Sequence, residues 1–245
     1  MNSLVQMTHK TKAIILRSIR YGETSLVITA FTELFGIQTY IMNGVRTSKP
    51  GSKAAQFQPG ALLHMEVYHN ELKAMNRIKE SSWHAVYKNI FSDVISHSIA
   101  IYLVELTHKL LKQPEADPDL FGFFEEVLLE LDKSPREVAA NIPLFFTLHL
   151  PQFFGFRITD NEGSGNYLDL MEGRFSSEEP SHEYFLTGND AEVTSDILRT
   201  RQVNELGYIH LHRTQRRHLL ENYMTYYALH VPDFGKMKTL DIITL

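Results

Sequence analysis

"SLVITAFTELFGIQTYIMNG", residues 25–44, places two runs of β-branched and aromatic residues on either side of Glu33-Leu34-Phe35-Gly36, the pattern of a β-hairpin. Upstream, "TKAIILRSI" (11–19) reads as another strand. Downstream, "ALLHMEVYH" (61–69) and "ELKAMNRIKE" (71–80) predict a second hairpin that turns near His69 and Asn70. Five short strands in about eighty residues suit a small closed barrel, for which an OB-fold is one solution. An SH3-like barrel would give the same pattern.

Near Ser81 the apolar period lengthens. "WHAVYKNIFSDVISHSIAIYLVELTHKLL" (83–111) sets Ile90, Val94, Ile99, Tyr102, Leu103, Leu106 and Leu110 at helical spacing. A second helix is expected from Asp117 as N-cap and Pro118 as first residue, with Leu120, Phe123, Phe124, Val127, Leu128 and Leu131 inward. Ser134 and Glu137 fit a capping box. A helix from Asn141 toward Gly155 should be kinked or shortened by Pro151. Residues 157–189 read as an irregular insertion with a short strand near "NYLDL", before helices at 189–200 and 214–230; from Pro232 onward the chain reads as a tail. The expected architecture is therefore α+β and multidomain: a five-stranded barrel over residues 1–80, then an α-helical domain over 81–245 containing the insertion.

The chain of 245 residues has no cysteine, which removes disulfides, thiolate nucleophiles and Cys-built zinc sites. Its start lacks an apolar run ending in a small-residue cleavage site, and polar residues interrupt the greasiest stretch, 91–111, so a cytoplasmic protein is expected. Neither a phosphate-binding G-x-x-x-x-G-K-[ST] nor a G-x-S-x-G elbow occurs. The "HLH" at 210–212 is flanked by Arg213, Arg216 and Arg217, which would repel a cation, so no metal site is expected there.

Charge is segregated. Residues 1–80 carry ten Lys/Arg against five Glu, net +5; residues 81–198 carry seven against twenty, net −13; residues 199–245 carry seven against four, net +3. The barrel is the part that attracts a polyanion. A period of two over 71–80 puts Lys73, Arg77 and Lys79 on one strand face. With Arg46, Lys49 and Lys53 in the loop "NGVRTSKPGSK" (43–53), and Arg17 and Arg20 near the first turn, they would line a phosphate-tracking groove. Tyr21, Tyr40, Phe57 and Tyr68 are interleaved with these cations; at least two belong to the core, and the others are candidates for base stacking. The helix bearing Arg213, Arg216 and Arg217 offers a second cationic surface.

The stretch "KAIILRSIRYGETSLVITAFTELFGIQTYIMNGVRTSKPGSKAAQFQPGALLHMEVY" (12–68) resembles the N-terminal OB domain of the bacterial RecO family. The matching features are the strand ending in Arg17, the Tyr21-Gly22-Glu23 turn, the hairpin from Thr32-Glu33 to Gly36, and the Gly/Arg/Ser/Lys loop before Phe57 and Pro59. Likeness continues through "YLVELTHKLL", "FFTLHLPQFFGF" and "RRHLLENYMTYYALHVPDFGKMKTLDII", and is poorest over 157–189. Many relatives carry a four-cysteine zinc site after the element matched here by Gly155-Phe156-Arg157; with no cysteine present, no zinc and no cofactor are expected.

The resemblance implies a non-enzymatic recombination mediator that binds single- and double-stranded DNA and anneals complementary strands. It further implies that, with RecR, the protein helps to load RecA onto DNA coated by single-stranded-DNA-binding protein (SSB), whose C-terminal tail it meets. On this view Arg20, Arg46, Lys49, Lys53, Lys73 and Arg77 hold DNA, and the acidic helices serve partner proteins. A competing expectation is a peptide-binding adaptor whose basic loop is merely solvated. A hydrolase or nuclease would need clustered metal-ligand carboxylates, which the sequence does not offer.

Overall fold

A computed structural model of the chain describes residues 7–45, 53–160 and 165–243. The chain divides into two compact units, Met1–Tyr87 with Leu111–Leu128, and Lys88–Leu110 with Leu129–Leu245.

In the first unit, β1 (Thr8–Tyr21), β2 (Ser25–Thr32), β3 (Gly36–Met42), β4 (Leu62–Tyr68) and β5 (Asn76–Trp83) close into a barrel of order β1-β2-β3-β5-β4. Among the described pairings of this barrel, only β3–β5 is parallel. This is the OB arrangement, and it settles the barrel subtype that composition left open. β1 is long because it serves two partners: Thr8–Ile14 pair with β4, and Ala13–Tyr21 pair with β2. A bulge between Ile15 and Arg17 separates these uses. Ala13, Ile15, Ile28, Ala30, Tyr40, Leu63, Met65, Val67 and Ile78 fill the interior, each at most 3% exposed. The Thr32 hydroxyl fixes the β2–β3 turn by donating to Gly36 O and accepting from Phe35 N.

Two helices follow, α1 (Val94–Leu110) and α2 (Pro118–Lys133). The Asp117 N-cap forms, its Oδ1 accepting from Leu120 N at 2.9 Å. The part of α2 that belongs to the first unit lays Phe121 against Phe31, ring centroids 5.5 Å apart. α1 starts later than its apolar period suggests. Asp93 caps it by accepting from Ser96 N at 2.8 Å, so Ile90 lies outside the helix and Val94 is exposed. The Asp132 carboxylate instead holds the approach to α1, accepting from the backbone N–H groups of Lys88, Asn89 and Ile90 at 2.8–2.9 Å.

The second unit continues with α3 (Arg136–Ala139), α4 (Ile142–His149), α5 (Asn189–Arg199) and α6 (Arg213–His230). The Ser134–Glu137 capping box does not form: Pro135 is the N-cap of α3, and Ser134 N donates back to Glu130 O. Pro151 shortens α4, which passes into a 3-10 turn over Leu150–Phe154 and ends at Gly155 with φ +80°. The insertion is more ordered than its composition predicts. β6 (Tyr167–Asp169), β7 (Arg174–Ser176) and β8 (Phe185–Thr187) form a sheet of order β7-β6-β8, plugged by Leu168, Phe175 and Leu186. Nor is the segment after Pro232 a free tail. Phe234, Met237, Leu240 and Ile243 are buried, Lys109 Nζ donates to Phe234 O, and the Glu105 carboxylate accepts from Lys238 N and Thr239 N. Among the described residues no helix is long and apolar enough to cross a membrane.

Candidate nucleic-acid interface

Residues paired across a ladder point to the same side of a sheet, so the barrel's registers define its outer surface. Before the bulge Thr8, Lys10, Lys12 and Ile14 share the outward parity of β1, with Ile14 buried; after it Arg17, Ile19 and Tyr21 do, because one extra residue reverses the alternation. One row then crosses the barrel wall: Ile19 opposite Val27, Val27 opposite Ile41, Ile41 opposite Arg77, and Arg77 opposite Tyr68. The next row holds Arg17, Thr29 and Thr39. Ile19 is 47% and Tyr21 59% exposed. An apolar and aromatic stripe is thus open to solvent, with Arg17 beside it on β1 and Arg77 continuing its row on β5.

The wall formed by the start of β1 with β4 and the end of β5 is different. Lys12 Nζ lies 2.7 Å from Glu125 and 3.2 Å from Glu33, and Lys79 Nζ lies 2.8 Å from Glu66. Lys10 stands directly across the ladder from Glu66. Burial works against the Lys12 charge, but hydrogen bonds and the charges of Glu125 and Glu33 hold its pKa above the usual value. The hydrogen bond with Lys79, then that with Thr8, holds Glu66 below the usual carboxylate range. These cations are already neutralised. Among the described residues, no carboxylate pairs with Arg17, Arg20, Lys53, Lys73 or Arg77.

The six residues singled out from sequence fall in different places. Arg77 stands on the outward row. Arg20 pairs opposite Leu26, on the inward parity, and reaches solvent at the barrel rim beside the β1–β2 turn. Lys73 is not on a strand face. β5 begins only at Asn76, because Asn70 Oδ1 accepts from Leu72 N and Asn76 Oδ1 accepts from Asn70 N, local bonds that turn residues 69–75 into a loop. Lys53 opens a 3-10 turn whose Gln56 accepts from the Ser81 hydroxyl, four residues along β5 from Arg77. Arg46 and Lys49 lie outside the described residues, which before them end at Val45, whose N–H donates to Thr24 O. Lys79, grouped with Arg77 by its period, is committed to Glu66.

Of the four aromatic residues, Tyr40 and Phe57 are core, at 0% and 1% exposure; Tyr21 is exposed and Tyr68 half-buried. The sequence reading missed Ile19, Val27 and Ile41, whose apolar character reads as interior. In the second unit, two of the three α6 guanidiniums are spent internally. Arg216 Nε donates to Asn141 Oδ1 at 2.8 Å, and Arg217 pairs with Glu221 and Asp241. The surface expected there is reduced to Arg213.

A closed OB barrel followed in the chain by a helical unit defines a class of modular proteins built on a small β-barrel. Residues 7–87 match the family model "Recombination protein O N terminal", and residues 92–239 match "Recombination protein O C terminal". The DNA repair protein RecO of Flavobacterium psychrophilum is 30% identical over 239 residues, 97% of this chain and 98% of that relative. Its namesakes in Azobacteroides pseudotrichonymphae and Bacteroides fragilis are 29% and 28% identical, each over 97% of this chain and 98% of the relative. The chain belongs to the RecO family of DNA repair and recombination proteins.

Proposed function

We propose that the protein is a non-enzymatic recombination mediator that binds single- and double-stranded DNA on the barrel face carrying Arg17, Ile19, Tyr21 and Arg77. The contrast between the two barrel walls carries this reading. Where cations are matched by carboxylates, a phosphate gains little; where they are free, each can neutralise one phosphate and release its counterion. Arg20, Lys53 and Lys73 extend the cationic rim, and Arg46 and Lys49 are proposed as further phosphate contacts. Because phosphate contacts position a strand without reading its bases, base edges remain free to pair with a second strand, which is the physical requirement for annealing. Family membership supports the remaining roles: action with RecR, contact with the C-terminal tail of SSB, and assistance to RecA in the cytoplasm.

The test is strand annealing and single-strand binding at increasing salt. Both should weaken together. Salt-independent binding, or saturable binding of an acidic peptide in place of DNA, would replace this reading with that of a peptide adaptor.

A further inference from the structure

Beside the outward row, the β4–β5 loop and the start of β3 enclose a cavity of about 630 Å³. Phe35, Gln38, Thr39, His69, Leu72 and Lys73 are among its lining residues. Its volume falls in the range of small-ligand pockets, roughly 300–1,000 Å³. The rings of Phe35 and His69 stack with centroids 3.8 Å apart and planes 15° apart, and His9 stands edge-on to both. Gln38 Nε2 donates to Phe35 O at 2.8 Å, which fixes the amide and leaves its Oε1 available as an acceptor. His69 Nδ1 is buried without a hydrogen-bond partner.

Leu72 is 96% exposed. Its place is nonetheless set by the Asn70 and Asn76 bonds that shape the loop, so a large apolar side chain is held at the mouth of the cavity with nothing of its own to cover. Lys73 follows it, with no carboxylate partner among the described residues.

We infer that this cavity receives a single nucleobase turned out of a bound strand. Resting on the proposed DNA-binding function, the inference names a subsite at one end of the same face. Aromatic rings and Leu72 supply apolar surface for a planar heterocycle, Gln38 Oε1 supplies an acceptor for its polar edge, and Lys73 meets the adjoining phosphate. A held base would anchor the strand at one nucleotide while its neighbours stay free.

The test uses the full-length protein with an oligonucleotide carrying 2-aminopurine, and a second strand of equal length made wholly of abasic sites. The wild type should bind the base-containing strand more tightly and change the 2-aminopurine fluorescence. Leu72→Ser, which removes no packing, and Gln38→Ala should each weaken that binding, by roughly tenfold for the loss of one stacked base, with little effect on the abasic strand. Arg77→Ala should weaken both strands alike. Equal wild-type affinity for the two strands, or variants that leave the base-containing strand unaffected, overturns the pocket while DNA binding stands. Absence of salt-dependent binding to either strand overturns both proposals.

Discussion

Replacing Arg17 and Arg77 with alanine should remove two phosphate contacts and nothing else, since both are exposed and neither has a carboxylate partner among the described residues. The five described free cations of the face, Arg17, Arg20, Lys53, Lys73 and Arg77, each neutralising one phosphate, give log affinity a slope on log salt of about −3.5 for a single strand. Raising salt from about 50 to about 200 mM then costs roughly 130-fold in affinity; with two contacts gone, the slope becomes about −2.1 and the loss roughly 20-fold. Fluorescence anisotropy of a labelled homopolymer at four or five salt concentrations reads the slope directly. The control is Lys79→Gln combined with Glu66→Gln, which deletes a cation already paired at 2.8 Å together with its anion. Its slope should match the wild type. A double-arginine variant with the wild-type slope, or a control with an equally reduced one, would refute the division of the barrel into free and neutralised walls.

Other consequences concern stability. His149 is largely buried against Phe145, and burial pushes its pKa down to about 4. Its folded form therefore stays neutral while the unfolded chain takes up a proton below about pH 6.5, so stability is full above that pH and falls as pH drops toward 4, by at most about 3 kcal/mol. His149→Phe should flatten this part of a urea-denaturation pH profile; an unchanged profile would contradict the assignment. Asn141 is fully buried, and its amide donates to Leu206 O and Ile209 O while accepting from Arg216. Asn141→Ala should cost about 3 kcal/mol in chemical denaturation, since it leaves two carbonyls and a half-buried guanidinium unpaired. Gly36 has φ +61°, and an added Cβ would lie 2.0 Å from Glu115 O, so Gly36→Ala should destabilise by about 2–4 kcal/mol. A neutral result by thermal melting would show that the Glu115 backbone gives way there.

The strands were legible because β-branched runs and turn residues coincide from Thr11 to Tyr68. Helix limits were legible where a cap has no rival, as at Asp117, and misread where a local bond competes: Asp93 starts α1 one turn beyond Ile90, and Pro135 displaces Ser134 from its capping role. The proposed binding face was harder to see. Continuing the alternation from Lys10 and Lys12 along β1 puts Arg20 outward, but the bulge before Arg17 shifts the parity and brings out Arg17, Ile19 and Tyr21. Nothing in the apolar pattern announces an extra residue. Charge counting likewise cannot tell Lys79 from Arg77, because the difference lies in Glu66 on the neighbouring strand.

The row from Ile19 to Arg77 lies on the outside of a closed barrel, and the barrel interior is filled by side chains. A polynucleotide engaged there is laid against a shelf and never threaded, so no free terminus is required for loading or release. Covalently closed circles of single-stranded DNA should then be captured as readily as linear molecules of the same sequence, and gaps flanked by long duplexes should be as accessible as ends.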